Sequence, residues 1–255
     1  LVVGAGNSGC DIAVDAVHHA RSIDLSVRRG YHFVPKYIMG KPADSIGGKI
    51  KLPIKLKQKV DSKILRFFTG DPTRFGFPEP DHKLYESHPI VNSLVLHHIG
   101  HGDIKIMRPI TKFEGKTVYF SDGQFKDYDV ILLATGYKLH YPFIDTNYLN
   151  CVNDTPKLFL NIFPPDEDNL FLVGLVEAAG IGWQGRYNQA ELVALAIEAK
   201  INRPQSFKKF QARKRENNED LSGGMEYMKL ARMSYYVHKD TYLKKMQKYT
   251  EILSN

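Results

Sequence analysis

The chain has 255 residues, 43% of them hydrophobic and 25% charged, with a formal net charge of +7. That length can bury one sizeable core or two smaller ones. Its two cysteines, Cys10 and Cys151, are too few for a disulfide framework, and no stretch reaches the roughly 18–20 apolar residues that a membrane-spanning helix requires.

In chain order, Leu1 to Val3 reads as the end of an apolar strand, and Gly4-Ala5-Gly6-Asn7-Ser8-Gly9 as a turn. Cys10 to Ala20 has helical spacing, with apolar Ile12, Ala13, Ala16 and Val17. Ile23 to Val27 alternates as a second strand, closed by Arg28-Arg29-Gly30. Together these form a βαβ unit. Tyr31 to Pro89 is less regular; a helical insert is expected over about 36–100, with a basic helix at Lys55 to Phe68 and a loop at Asp71 to His82. Asn92 to Gly100 reads as helix, followed by strands at Ile104 to Met107, Ile110 to Glu114 and Thr117 to Ser121, with Asp122-Gly123 turning toward the next strand. That next strand is Asp129 to Ala134, DVILLA, whose continuous apolar character predicts burial on both faces. A third buried strand is expected at Leu170 to Val173, then a helix over Arg186 to Lys200, and basic helix from Pro204 onward, including Met225 to Tyr249. The densest cationic run, Lys208 to Arg215, reads as a solvated helix face rather than a nucleic-acid surface.

The chemistry-bearing pattern is the turn at Gly4, Gly6 and Gly9, which is G-x-G-x-x-G. Gly4 permits the tight turn, Gly6 lets the backbone approach a pyrophosphate, and Gly9 lets the helix pack close to the strand. The helix N-terminus offers N–H groups and partial positive charge to phosphate, and Asn7 and Ser8 can add side-chain hydrogen bonds. The strand before and the helix and strand after supply the context that this pattern requires. An acidic residue at the end of the second strand would bond a ribose 2′-hydroxyl; this chain has Arg28 and Arg29, whose guanidinium forks suit the 2′-phosphate of NADPH. Asp24 lies inside the strand, away from that position.

Other residues suggest less. His97 and His101 are four apart with His98 between them, but no H-E-x-x-H pattern or carboxylate at ligand spacing accompanies them, so no metal site is expected. Cys10 is expected to be buried against the sheet and not redox-active, and the absence of C-x-x-C argues against a dithiol reductase. A reducing, cytoplasmic setting is expected, with no signal peptide in view.

Five stretches together resemble the flavin-containing monooxygenase family, the class B flavoprotein monooxygenases: VVGAGNSGCDIAVD, DLSVRRGYHFVPK, ESHPIVNS, DYDVILLATGYKLHYPFI and GIGWQGRYNQAELVA. The resemblance covers about Leu1 to Ala199, and its most specific part is Thr135-Gly136-Tyr137. It implies an α/β fold: a Rossmann-like NADPH-binding domain over 1–137 with the helical insert, the returning part of an FAD-binding Rossmann-like domain over 138–203, and a helical segment over 204–255. It implies a chain truncated at its N-terminus, without the FAD-binding half that carries a first glycine motif. It further implies the cofactors NADPH and FAD, with O₂ and a small molecule as substrates. One oxygen is inserted into an amine nitrogen or a sulfur through a flavin C4a-hydroperoxide, as in N,N-dimethylaniline monooxygenase activity. No general acid or base is nominated.

By the same resemblance, Thr135, Gly136 and Tyr137 sit at the ligand-binding end of a strand. Gln184 and Arg186 either face the flavin or serve as a helix cap and surface ion pair. Trp183 is either a wall beside the flavin or packing. The C-terminal helices either pack on the missing half or mediate a homodimer. Baeyer–Villiger oxygenation, an NADPH oxidoreductase, and a non-catalytic NADPH-binding fragment inactive on its own are the alternatives.

Overall fold

The computed structural model describes residues 1–38, 40–43 and 53–255. The part of the expected insert at 39 and 44–52 lies outside the described residues. The chain divides into two compact units, Leu1–Tyr137 and Lys138–Asn255.

The first unit is a Rossmann-like α/β layer. Its parallel sheet has the order β5-β2-β1-β9, with β1 at Val2–Val3, β2 at Ile23–Ser26, β5 at Ile104–Met107 and β9 at Leu132–Leu133. Helix α1, Asn7–Ala16, makes the crossover from β1 to β2. Between β2 and β5 come a two-stranded hairpin (β3, Tyr37–Ile38; β4, Lys41–Pro42), helix α2 at Ile54–Thr69, and helix α3 at Leu94–His101. The core under the sheet joins Cys10 and Ala13 of α1 to Leu25, Ile104, Val95 and Leu96. An antiparallel meander, β6 (Ile110–Glu114), β7 (Thr117–Phe120) and β8 (Phe125–Asp127), packs Val118, Phe120 and Tyr128 against Leu1 and Met107.

Several expectations need correction. Helix α1 begins at Asn7 rather than Cys10 and ends at Ala16 rather than Ala20, because two residues after Gly4 suffice to turn the chain and tighter bonds (His19 N–H to the Ala16 carbonyl, 3.0 Å) close its last turn. Strand β2 does not alternate: all four residues are buried, because Ile23 and Leu25 pack with α1 and α3 while Asp24 is covered by Lys126 and Tyr128. Its polar members are satisfied inside: the Asp24 carboxylate accepts from Lys126 Nζ at 2.8 Å and Tyr128 Oη at 2.5 Å, and Ser26 Oγ donates to the Arg108 carbonyl at 3.0 Å. The DVILLA run forms strand only at β9 and is not buried on both faces: among the described residues little packs over it, and Val130 is 69% and Leu133 66% exposed. An extra strand, β8, follows the Asp122-Gly123 turn before that run.

The second unit packs α4 (Gly182–Asn202), α5 (Pro204–Glu216) and α6 (Lys239–Ser254) around one core, with a small hairpin, β10 (Cys151–Val152) and β11 (Thr155–Pro156). Phe159, Phe163, Phe210 and Tyr249 form its aromatic centre, with ring centroids 4.9 Å apart for Phe159–Tyr249 and 5.0 Å for Phe163–Phe210. Gln189 is fully buried and bridges it: its side-chain oxygen accepts from Gly174 N–H and its amide donates to Tyr242 Oη, each at 2.8 Å.

Leu170 to Val173 is not a strand. Leu172 N–H bonds the Ile162 carbonyl at 2.9 Å, and Phe171 lies edge-on to Phe163. Helix α4 starts at Gly182, four residues before the expectation. The C-terminal part is not one helix: Asn217, in a left-handed conformation, ends α5, and continuous helix resumes only at Lys239. The solvated-face expectation for Lys208 to Arg215 fails at Lys214, which is 1% exposed and paired with Asp168 at 2.6 Å.

Glu219 ties the end of α5 to α6, accepting from Lys245 and Tyr249, and from Lys248 at 2.9 Å. Burial alone would raise its pKa; these bonds outweigh that and hold it at about 2. A folded-state pKa below the unfolded value of about 4.3 contributes stability that is complete above that value and is lost as pH falls through the folded pKa. The second unit is therefore expected to weaken between about pH 4.5 and 2, and Glu219→Gln to cost about 2–3 kcal/mol at pH 7 while flattening that limb. Urea unfolding followed over this range would contradict the assignment if the variant kept the wild-type acid slope.

Candidate functional site

Strands β1, β2 and β9 run parallel, with Val3 paired to both Ser26 and Leu133. Their C-terminal ends therefore open at one edge of the sheet, where ligands of α/β folds bind. Three candidate groups sit there: the glycine turn after β1, Arg28-Arg29 after β2, and Thr135-Gly136-Tyr137 after β9.

The turn is held by backbone contacts. Gly4 has φ +104°, and its N–H donates to the Ser26 carbonyl at 3.0 Å. A Cβ on Gly4 would lie 2.6 Å from the Ala134 carbonyl oxygen and 3.6 Å from Thr135 Cα, so the β9 segment passes directly beside it. A Cβ on Gly9 would fall 1.9 Å from the Gly4 carbonyl oxygen, which sets the close packing of α1 on the turn. Gly6 differs: nothing lies within 4 Å of where its Cβ would be. The backbone above Gly6 is thus open at the N-terminus of α1, and no side chain caps that end. Free N–H groups and the positive end of the helix dipole meet there, an arrangement of the kind that can attract an anion.

The side chains divide by role. Ser8, in the first turn of α1, is exposed. Asn7 Oδ1 accepts from Val91 N–H at 2.6 Å and its Nδ2 donates to the Pro89 carbonyl at 3.2 Å. Both ends of the Asn7 amide thus clamp the segment at Pro89 to Val91 onto the start of α1. That clamp continues. Asn92 Nδ2 donates to Asp11 at 2.6 Å, and Ile90 exchanges backbone bonds with His32 (2.9 Å) and Val34 (2.8 Å), in the segment that follows Arg28-Arg29. Asn92 and Asp11 were not singled out from sequence; ESHPIVNS carried no charge or spacing signal for a partner on α1.

Arg28 is exposed and has no hydrogen bond or ion pair among the described residues. Arg29 is half-buried, and its charge helps hold the Asp81 carboxyl below the ordinary range, after the hydrogen bond from His82 and against desolvation. Gly30 lets the Pro78–Glu79 backbone cross this point; a Cβ there would meet it at 2.3 Å. Thr135, Gly136 and Tyr137 are all exposed. Asp24, buried beneath Lys126 and Tyr128, cannot serve a ribose.

Gln184 and Arg186 belong to the second unit. Both lie near the start of α4; Gln184 bonds Asn188 at 2.8 Å, and Arg186 bonds the Gly182 carbonyl and Glu177, each at 2.9 Å. Arg186 also lies 5.6 Å from the ring centre of the exposed Trp183. The guanidinium of Arg186 thus orders its own helical turn.

Cys10 is fully buried; desolvation first, then Asp11, push its thiol up to about 12. The rings of His97 and His101 are 4.1 Å apart and His98 bonds Asp103 at 2.8 Å, but among the described residues no group of three or more His, Cys, Asp or Glu is arranged to hold a metal.

Comparison with known proteins places this geometry in context. A family model described as FMO-like, flavin-binding monooxygenase-like, matches residues 1–254. Flavin-containing monooxygenase 5 of Oryctolagus cuniculus is 29% identical over 198 residues, which is 71% of this chain and 35% of that protein. The probable indole-3-pyruvate monooxygenase YUCCA1 of Arabidopsis thaliana is 34% identical over 150 residues, 56% of this chain and 36% of that protein. The chain thus spans about a third of the length of these curated relatives. In fold, it is similar to a cyclohexanone monooxygenase mutant from Rhodococcus sp. Phi1 bound to NADP⁺, with a TM-score of 0.58 at 15% identity, covering 99% of this chain and 63% of that one.

Two outcomes follow from this geometry. Gly9→Ala forces a methyl into the Gly4 carbonyl and is expected to destabilise the first unit by about 1–3 kcal/mol, whereas Gly6→Ala, facing open space, is expected to leave stability within about 0.5 kcal/mol; paired urea melts measure both. Native chain is expected to leave Cys10 unmodified by Ellman's reagent at pH 8 until denaturant is added. Rapid labelling of Cys10 in the folded state, located by peptide mass, would refute its burial.

Proposed function

The chain belongs to the flavin-binding monooxygenase-like family, and we propose that it is the NADPH-binding portion of an FAD- and NADPH-dependent monooxygenase that places one oxygen of O₂ on an amine nitrogen or a sulfur of a small molecule. In this reading residues 1–137 bind NADPH, 138–203 return to the flavin-binding domain, and 204–255 form a helical segment. The chain works in a reducing, cytoplasmic setting, a reading supported by its two free cysteines.

The single observation that carries the proposal is the shared sheet edge. An open helix N-terminus at Gly6 and an exposed, unpaired arginine at Arg28 stand at the ends of adjacent parallel strands. These residues fit a dinucleotide carrying a 2′-phosphate. The N–H groups at the start of α1, with Ser8, would hold the pyrophosphate, and Gly4 and Gly9 would keep that end of the helix in place. Arg28 would take the 2′-phosphate, with Arg29 beside it as a second positive charge. Thr135 to Tyr137 would border the cofactor at the end of β9. Gln184 is the proposed flavin-side residue of the second unit, with Arg186 ordering the helical turn that presents it.

When bound, NADPH supplies hydride to FAD, whose reduced form supplies the electrons for oxygen activation. The contribution of this chain is to bind and orient the nicotinamide cofactor, and no proton transfer is assigned to its side chains.

Calorimetric titration of the chain with NADP⁺ and NAD⁺ tests the reading. NADP⁺ is expected to bind at least about tenfold more tightly, and Arg28→Ala to weaken NADP⁺ by about 10- to 100-fold while leaving NAD⁺ unchanged, the range for a hydrogen bond between charged groups. Equal affinity for the two nucleotides, or an Arg28→Ala effect on both alike, would remove the basis of the proposal.

A further inference from the structure

Helix α3 ends in a pair of imidazoles. His97 and His101 are separated by one helical turn, which puts them on one face, and their ring centres lie 4.1 Å apart with the ring planes at 76°. Both side chains are exposed, and neither makes a hydrogen bond or ion pair among the described residues. Each neutral ring therefore keeps an uncommitted nitrogen lone pair. The helix beneath them is fixed, because Val95 and Leu96 are buried in the core of the first unit and Gly102, in a left-handed conformation, stops the helix directly after His101.

The surroundings favour a cation. The pair occupies the last turn of α3, at the negative end of the helix dipole. Asp103 follows immediately, and its carboxylate is bonded to His98 Nδ1 at 2.8 Å. That bond first, and then the charges of His98, His101 and His97, hold its carboxyl below the ordinary range against desolvation. The carboxylate thus interacts with all three rings, though it bonds only one. His98 is engaged by it, with its ring 5.3 Å from that of His97. Two touching imidazoles repel when both are protonated; a single cation shared between neutral rings replaces that repulsion with a bond to each.

We propose that His97 and His101 together hold one divalent ion of the copper, nickel and zinc class, with water in the remaining positions. These ions take neutral imidazole nitrogen, at about 2.0–2.1 Å for zinc, and the order of affinity across the first row puts Cu²⁺ first. Magnesium and calcium, which demand oxygen ligands, do not suit the pair. Two histidines four residues apart on a helix are also the pair that H-E-x-x-H presents to zinc. Here no third protein ligand is arranged among the described residues, so the site is open and its ion exchangeable. Bound, the ion joins both ends of the last turn of α3, immediately before β5, with the Asp103 carboxylate as a nearby balancing charge.

Titration calorimetry of the full chain with CuCl₂, NiCl₂, ZnCl₂ and MgCl₂ near neutral pH tests the assignment, with copper EPR to count coordinated nitrogens. One site of highest affinity is expected, tightest for Cu²⁺ and without response to Mg²⁺, with two imidazole nitrogens in the copper spectrum. His97→Ala and His101→Ala are each expected to weaken Cu²⁺ at least about tenfold and to leave one imidazole nitrogen, because each removes the intramolecular second ligand. Alanine favours helix, and circular dichroism checks that α3 is kept. The control His140→Ala alters an exposed histidine of the second unit and is expected to bind as wild type. Zn²⁺ is expected to raise the urea midpoint of the wild type and of neither variant. No heat with Cu²⁺, an affinity unchanged by either substitution, equal loss in the control, a single nitrogen in the wild-type spectrum, or a wild-type urea midpoint that Zn²⁺ leaves unmoved would each overturn the proposal.

Discussion

The close approach of Gly9 to the Gly4 carbonyl is the constraint on which the first unit depends. A Cβ at Gly9 would sit 1.9 Å from that oxygen, so α1 can begin directly over the end of β1 only if residue 9 has no side chain. Once it does, three consequences follow together. The uncapped N-terminus of α1 lies directly after the end of β1. The apolar side of α1, Cys10 and Ala13, falls on Leu25 of β2. The chain after α1 is returned in parallel beside β1, bringing Arg28 to the same edge as the turn. A strand–turn–helix junction thus determines both the core and the position of the candidate anion site.

The polar residues around that edge are mostly structural. Asn7 fastens the segment at Pro89 to Val91, and that segment pairs with His32 to Val34, directly after Arg28-Arg29. The glycine turn and the arginine pair are therefore tied through a third piece of chain as well as through the sheet. Asp24 is consumed by Lys126 and Tyr128 and fastens the meander to β2. In the second unit the same economy appears at Gln189, which saturates its amide between Gly174 and Tyr242, and at Lys214, whose ammonium is bonded to the Glu167 carbonyl and Asp168. A buried polar group without a partner would be costly, and each of these has at least one.

Membership in the flavin-binding monooxygenase-like family sets the meaning of these features without adding geometry. The sheet edge, the open helix N-terminus and the exposed arginine are properties of this chain. The arrangement also explains why Arg28 is the better candidate of the two arginines: Arg29 is half-buried near Asp81, while Arg28 stands free at the edge.

Local pattern alone determined a good deal. The βαβ unit, the helix at α2, the meander strands β6 and β7, and the glycine turn were all legible, because hydrophobic period and turn residues act over a few positions. What failed depended on neighbours distant in sequence. DVILLA looks like a strand covered on both faces, but coverage depends on what packs over it, and among the described residues Val130, Leu132 and Leu133 are left exposed. Ile23 to Val27 looks half-exposed, but β5 and the meander bury its polar residues. Lys214 reads as one more surface lysine until Asp168, remote in the chain, comes to it. At the site, the sequence by itself determined which residue types stand at the strand ends; only the tertiary structure decided that Asn7 clamps the Pro89–Val91 segment, that Arg28 is free and that Arg186 is tied to Glu177. The reason is physical: residue type sets what a side chain can bond, while the partner it bonds is chosen by packing between segments that are far apart in the chain.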